Sequence, residues 1–335
     1  MFEITELPQD HIDSFNELVE HEKEEVASRK VAVISMYCNR FIWTQCCIHS
    51  LDPNFAGINY LNYHLYLVNN NSIDSTAGFF NEYTNYRPFV EQVRHSENKG
   101  KPWAFNHALN LIPDDTDYVV SIDGDVEMPE NWLRDMIICF EELKREGVKV
   151  GQLACDYELL PGCRKTVNPN SLYQPERCKI LESGIVLDTT PDVAGGCIIW
   201  ETSTLKNIGG YQIIEQVIDK KPTGKHNLYG MDDGLINLGL KKKNMLSCYL
   251  VNVRGKHWGD YDEALFPKYQ DWKKKNLNPI LQSQIKPHEI GEDYEWQTAK
   301  KYENIYDAQK VLQKCISRKA CESMTKMYLE GVNNV

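Results

Sequence analysis

The chain has 335 residues, 42% of them hydrophobic, and a formal net charge of −11 at pH 7. That size and apolar content suffice for one large core or two smaller ones, so an ordinary globular protein is expected. The charge excludes a nucleic-acid binder with a uniformly basic surface.

The charge is unevenly spread. Residues 205–286 hold fourteen Lys and Arg against eight Asp and Glu, which suggests an acidic partner unless those lysines are merely a solvated face. Eleven cysteines, among them Cys46-Cys47, contain no paired C-x-x-C spacing, so reduced thiols are expected rather than structural zinc. The first thirty residues lack a basic start and an apolar core, and no apolar run reaches membrane-spanning length, so a soluble, cytoplasmic protein is expected.

Along the chain, Ile12, Phe15, Leu18 and Val19 give residues 9–28 a helical period, predicting a surface helix. Residues 30–35 read as a buried strand and 41–51 as the helix after it. A second strand over 64–68 runs into Asn69-Asn70-Asn71-Ser72-Ile73-Asp74, a loop rich in capping residues that opens a helix over 75–83. A strand over 89–95, a helix over 102–111, a strand over 118–122 and a helix over 129–146 continue the alternation. Such alternation predicts a parallel sheet covered by helices, with ligands beyond the carboxyl ends of the strands. The loops at 69–70, 98–101 and 123–125 would then share one edge. Beyond 150 the pattern is mixed: strand-like pieces at 151–154, 184–187 and 196–200, a polar excursion or lid at 161–177, helices at 201–207 and 233–241, a strand at 245–253 and a helical tail over 294–329.

Asp123-Gly124-Asp125 follows the apolar run Tyr118-Val119-Val120-Ser121-Ile122. Isolated carboxylates are costly to bury, so acids at such a strand end face a cation, a partner charge or water. A hard divalent ion held by only one or two carboxylates keeps positions for water and phosphate oxygens. The triplet therefore points to a metal-bridged diphosphate and a nucleotide ligand, the competing reading being a tight Asp-Gly turn.

The order of motifs over roughly 30–260 resembles the inverting family 2 glycosyltransferases of the GT-A fold. It comprises Val31 to Tyr37, Val68-Asn69-Asn70-Asn71-Ser72, Asn98-x-Gly100-x-x-x-Ala104-x-Asn106, Asp123-Gly124-Asp125, Ala194-Gly195-Gly196, Ile208-Gly209-Gly210-Tyr211 and Asp232-Asp233. The resemblance implies an α/β, Rossmann-like, mostly parallel sheet flanked by helices. Residues 1–29 would be an N-terminal helix, 30–150 the nucleotide-sugar half, 151–285 the acceptor half and 286–335 a helical appendage. It further implies metal-dependent transfer from a nucleoside diphosphate sugar, a UDP-sugar by preference, with Mn2+ or Mg2+ on the diphosphate.

By the same resemblance Tyr37 would lie against the base, and Asn70 stands where the family commonly has an aspartate that bonds the base edge. Asn98 and Lys101 belong to the donor-binding loop. Asp125 would ligate the metal, Asp123 would contact ribose or a metal-bound water within the same cluster, and His257 would complete the metal site unless it merely packs beside Trp258. Asp233, with Asp232 before it, would take the proton of the acceptor hydroxyl; the alternative is that both acids simply suit a helix N-terminus. Phe105 replaces an arginine common in the family, and Lys99 or Lys101 would restore the charge. Arg254 and Lys256 are further candidates for the diphosphate.

The resemblance does not name the acceptor. The basic segment, with Trp258, Tyr261 and Trp272, predicts a polyanion, in particular a hydroxymethylated pyrimidine of viral DNA flipped from its stack, which would place the enzyme in a host cytoplasm. The alternatives are a surface or lipid-linked glycan, a peptide docked on the helical tail, and a nucleotide-binding protein without catalysis.

Overall fold

The computed structural model describes residues 7–72, 74–158, 178–189, 193, 195–213, 215–218, 221–226 and 232–261. The expected excursion at 161–177 and the appendage at 286–335 lie outside the described residues.

Gln9–Val26 forms α1, which buries Phe15, Val19 and Val26. Val31–Tyr37 (β1) is followed by Phe41–Cys47 (α2), continued by a 3₁₀ turn over Ile48–Leu51, and by the single turn Pro53–Ala56 (α3). That last turn escaped the sequence reading because it is so short; Asp52 caps it, accepting from the Asn54 N–H at 3.0 Å, and Pro53 sits at its first position. Then come Tyr63–Asn70 (β2), Thr76–Asn85 (α4), Val90–His95 (β3), Lys101–Leu109 (α5), Tyr118–Asp123 (β4) and the two-residue Val126–Glu127 (β5). Trp132–Arg145 (α6) buries Trp132, Leu133, Met136, Ile137, Phe140 and Leu143 at helical spacing, each worth roughly 1.5–3 kcal/mol of apolar burial.

The second half adds Val150–Tyr157 (β6), Cys178–Ile180 (β7), Val186–Asp188 (β8), Cys197–Glu201 (β9), Thr202–Asn207 (α7), the hairpin Glu215–Ile218 (β10) and Lys221–His226 (β11), Asp232–Lys242 (α8) and Leu246–His257 (β12). The main sheet runs β3-β2-β1-β4-β9-β6-β12-β8-β7, with β5 on the end of β12. β3, β2, β1 and β4 are mutually parallel, and β6 is parallel to β12. β9 enters antiparallel between β4 and β6, so β6 and β12 again point the same way as β4. The helices flank this sheet as expected, and no helix among the described residues is long and apolar enough to cross a membrane.

Cys46, Cys47, Cys139, Cys155, Cys197 and Cys248 are buried, free thiols. Burial pushes the Cys139 thiol well above its ordinary value, which leaves it protonated and inert.

Candidate functional site

Because β1, β2, β3, β4, β6 and β12 share one direction, their last residues stand along one edge of the sheet: Tyr37, Asn70, His95, Asp123, Tyr157 and His257. Asp123 closes β4, and its N–H donates to the Gly196 carbonyl at 2.8 Å. Its Oδ1 lies 2.9 Å from Lys101 Nζ at the start of α5. Lys101 also donates to the Gly195 carbonyl at 3.0 Å, and the Gly195 N–H donates to Asp233 Oδ2 at 2.9 Å. One polar path therefore joins Asp123 to Asp233. Burial pushes the Asp123 carboxyl up, Lys101 pulls it down, and the neighbouring Asp125 pushes it up again.

Asp125 is only 4% exposed. Its Oδ2 accepts from Arg40 Nη1 at 2.8 Å and lies 3.8 Å from His257 Nε2. Backbone pairing explains the meeting: β5 pairs with the end of β12, matching Val126 with His257 and Glu127 with Lys256. The Asp125 carbonyl accepts from the Trp258 N–H at 2.8 Å. Asp125 and His257 thus come together, while Asp123 turns towards Lys101.

Tyr37 is 4% exposed, its ring edge-on to Phe80 at 4.7 Å. A Cβ on Gly124 would stand 2.5 Å from Tyr37 Cε1, so the ring lies directly against the acid turn. At the next strands Asn70 donates to Asn98 Oδ1 at 2.8 Å. The Lys99 N–H donates to Asn70 Oδ1 at 3.3 Å and the Gly100 N–H to Asn98 Oδ1 at 2.9 Å. Those two backbone donors dictate both amide orientations. His95 Nδ1 is 3.2 Å from Asn70 Oδ1, and its Nε2 is 2.9 Å from His107 Nδ1. Burial, His107 and Lys99 push His95 down to about 4, so it is neutral at pH 7.

Asp233 is the second residue of α8, whose first turn is held by Asn237, donating to the Asp233 and Val193 carbonyls at 3.0 Å each. Asp232 lies in α8 by its backbone; its side chain is outside the described residues. Phe105, in place of the family's arginine, is fully buried with its ring 4.7 Å from Tyr211 and 6.0 Å from Trp200, a position where a guanidinium would have no water. Of the two lysines expected to restore the charge, Lys101 reaches Asp123, whereas Lys99 pairs with Glu97 at 3.0 Å and lies 4.4 Å over Trp103. Arg254 is 3.1 Å from the buried Asp156, and Lys256 is 3.9 Å from Glu127.

Trp258, assigned from sequence to a polyanion-facing surface, is instead 2% exposed, stacked 6.2 Å from Trp43 with its Nε1 donating to Glu127 at 2.9 Å. An indole buried with its donor satisfied has no face for a base. The sequence reading also missed Arg40. The signal available was its place in the loop after the first strand, on the same edge as the other loops.

A divalent ion suits this donor set. Asp125 and Asp123 offer hard oxygens and His257 a ring nitrogen. Among the described residues no group of three or more His, Cys, Asp or Glu converges to enclose an ion; Asp125 and His257 meet at 3.8 Å, while Asp123 faces Lys101.

The family model "Glycosyl transferase family 2" matches residues 32–209. Among solved structures, a mannosyltransferase from Pyrobaculum calidifontis in complex with GDP-Man and Mn2+ is 15% identical with a TM-score of 0.50, over 96% of this chain and 89% of that one. GalNAc-T7 with UDP, GalNAc and Mn2+ is 12% identical with a TM-score of 0.51, over 88% of this chain and 56% of that one. At these identities the likeness is one of fold. Comparison with curated proteins finds no match.

Proposed function

The chain belongs to glycosyl transferase family 2 and has the GT-A fold, and from that premise we propose that it moves a sugar, with inversion, from a nucleoside diphosphate donor to an acceptor hydroxyl. Asp125, Asp123 and His257 hold Mn2+ or Mg2+; Tyr37, Asn70, Asn98 and Lys101 hold the nucleotide; Asp233 is the base. The observation that carries the reading is the polar path from Asp123 through Lys101 and Gly195 to Asp233, which links the acid proposed for the donor side to the acid proposed as base.

In the transfer, Asp233 takes the acceptor's hydroxyl proton as that oxygen bonds to the anomeric carbon. The bond from that carbon to the diphosphate oxygen breaks with its electron pair on the leaving group. Lys101, bonded to Asp123 and to the Gly195 carbonyl, orients Asp123 and supplies positive charge on the donor side. A bound divalent ion would add neutralisation of the departing diphosphate.

The two similar structures contain GDP-Man and UDP, so UDP, expected from the sequence, is tested beside GDP. For the acceptor, the finer reading is a hydroxymethylated pyrimidine of viral DNA. Its support is the basic excess over 205–286 together with Tyr261 and Trp272, whose side chains lie outside the described residues; Trp258, in the core, no longer contributes. Glycan and peptide hydroxyls are the competing acceptors.

The test is calorimetry of UDP and GDP with manganese, followed by transfer assays on hydroxymethylated DNA, oligosaccharide and peptide at two salt concentrations. Asp233→Asn is expected to bind donor as the wild type does and to lose transfer by at least about a hundredfold. Undiminished transfer by that variant would remove the base assignment; transfer to DNA that ignores salt would remove the polyanion reading.

A further inference from the structure

The sequence of α8, Asp232-Asp233-Gly234-Leu235-Ile236-Asn237-Leu238-Gly239-Leu240-Lys241-Lys242, is a poor helix former. Two glycines and an asparagine each lower the propensity, so the first turn needs support from outside the helix. Asn237, 4% exposed, supplies it. Its Nδ2 donates to the Asp233 carbonyl, one turn earlier, and to the Val193 carbonyl in the segment before β9, at 3.0 Å each. Two positions beyond Val193, the Gly195 N–H donates to Asp233 Oδ2 at 2.9 Å. The main chain of Asp233 and its carboxylate are therefore both tied to one short stretch of backbone, and Asn237 is the tie on the main-chain side.

Asn237 is held in turn from the sheet. Gln152 Nε2 donates to Asn237 Oδ1 and to Ser247 Oγ at 2.7 Å each, and Ser247 Oγ donates to Asn237 Oδ1 at 2.5 Å. Trp200 Nε1 donates to Gln152 Oε1 at 2.9 Å. Trp200, Gln152 and Ser247 stand on β9, β6 and β12, three neighbouring strands. The amide orientations are dictated from both ends. An indole only donates, so Gln152 turns its oxygen to Trp200 and its nitrogen to Asn237. Main-chain carbonyls only accept, so Asn237 turns its nitrogen to Val193 and Asp233 and its oxygen to Gln152. The two requirements agree. Both hydrogens of each NH2 group and both lone pairs of Asn237 Oδ1 are used, and a buried network satisfied throughout is rigid. Aspartate or leucine, close to asparagine in size, would lack the two donors that the carbonyls receive.

We propose that Asn237, held by Gln152 and Ser247, is the positioning residue that sets the Asp233 carboxylate against the Gly195 N–H and so fixes the base relative to the acceptor hydroxyl. This rests on the reading of Asp233 as the base. Asn237 acts through Asp233 and through the backbone at Val193 and Gly195. Its removal lets the first turn of α8 shift against that backbone, and a displacement near 1 Å at a reacting group costs up to about 100-fold in rate. Donor affinity, which does not draw on Asp233, is retained.

The experiment reads the placement of Asp233 without any ligand. Protein labelled with [15N]glycine shows twenty glycine amides, and the Gly195 resonance is the one missing from Gly195→Ala. In Asp233→Asn that resonance should move upfield, since its charged acceptor is gone. Asn237→Ser should move it in the same direction. Leu143→Ala, which opens a cavity in α6 and lowers stability without touching this network, should leave it in place. The second readout is hydrolysis of UDP-glucose and GDP-mannose with manganese, in which water takes the place of the acceptor hydroxyl. Asn237→Ser should lower kcat at least about tenfold and change the donor KM by less than about twofold, whereas Leu143→Ala should do neither. An unmoved Gly195 resonance in folded Asn237→Ser overturns the proposal, and so does a resonance that moves equally in Leu143→Ala. Should Asn237→Ser fail to fold, Asn237→Asp keeps the shape and loses both donors to the carbonyls; an unmoved resonance there is equally decisive. Hydrolysis undiminished in Asp233→Asn removes the base reading instead, and leaves the placement of Asp233 by Asn237 to the resonance alone.

Discussion

Replacing Gly195 by alanine tests the link between the two acids with one methyl group. The φ of Gly195 lies outside the left-handed region, so alanine adds bulk without backbone strain. Its Cβ would stand 2.6 Å from the Asp233 carboxyl carbon, against 3.4 Å for ordinary contact. Asp233 Oδ1 would be closer still, so the carboxylate must retreat by about 1 Å or more, either stretching or losing the bond it accepts from the Gly195 N–H. A hydrogen bond to a charged group contributes roughly 1.5–3 kcal/mol, and a displacement near 1 Å at a reacting group costs up to about 100-fold in rate. Gly195→Ala should thus lower kcat by about 10- to 100-fold, while the affinity for nucleotide with manganese stays within about twofold, because the Gly195 carbonyl that receives Lys101 is retained. The assay is steady-state transfer together with calorimetry, with the thermal midpoint as a control for folding. Wild-type kcat in a folded Gly195→Ala protein would refute the reasoning, since it would mean that the position of Asp233 does not matter to the chemistry.

Asp156, 1% exposed beside Arg254, is pushed up to about 7 by burial, with Arg254 pulling down and Asp188 pushing up. The folded protein keeps that proton to about pH 7, whereas the unfolded chain releases it near 4, so stability from this group is present below about 4 and is lost as pH rises to 7. Urea unfolding at pH 5 and 8 should show Asp156→Asn gaining on the wild type by on the order of 2–4 kcal/mol across that interval; an unchanged difference would exclude the shift. Asn70→Asp would set a carboxylate oxygen against Asn98 Oδ1, which the Gly100 N–H already holds in place, and should cost about 1–3 kcal/mol of stability. Chemical denaturation showing no loss would mean that the pair of amides reorients freely.

The first half of the fold was legible because its signals are local. Val31–Tyr37, Tyr63–Asn70 and Tyr118–Asp123 are apolar runs, and helix-forming sequence follows each within a short stretch. Direction is another matter: Cys197–Glu201 reads as a buried strand, but nothing in an apolar pentapeptide says that it enters antiparallel between β4 and β6. A two-residue strand such as β5 carries no period at all. At the candidate site, Asp123, Asp125 and Asp233 were singled out by residue type and order, since acids at strand and helix ends are few. Arg40 was not, because its partner is fixed by the meeting of two loops, and Trp258 was misassigned because burial of an aromatic among lysines depends on what lies across from it, here Trp43 and Glu127.

The acid turn and His257 are joined by backbone before any ion is considered, and this decides how the site tolerates change. β5 leaves the turn and pairs at once with the last residues of β12, and the Trp258 N–H closes on the Asp125 carbonyl. The Trp258 ring below is locked between Trp43 and Glu127. A Cβ on Gly259 would come within 2.7 Å of His257 Cε1 and closer still to the Asp125 carboxylate, so both side chains pack directly against a main chain that has no side chain to yield. Main-chain bonds set the approach of Asp125 to His257, and side-chain cations set the charge on the two acids. Geometry and charge can then vary separately: a substitution at Arg40 or Lys101 changes the charge facing the two acids while the pairing of β5 with β12 stays fixed.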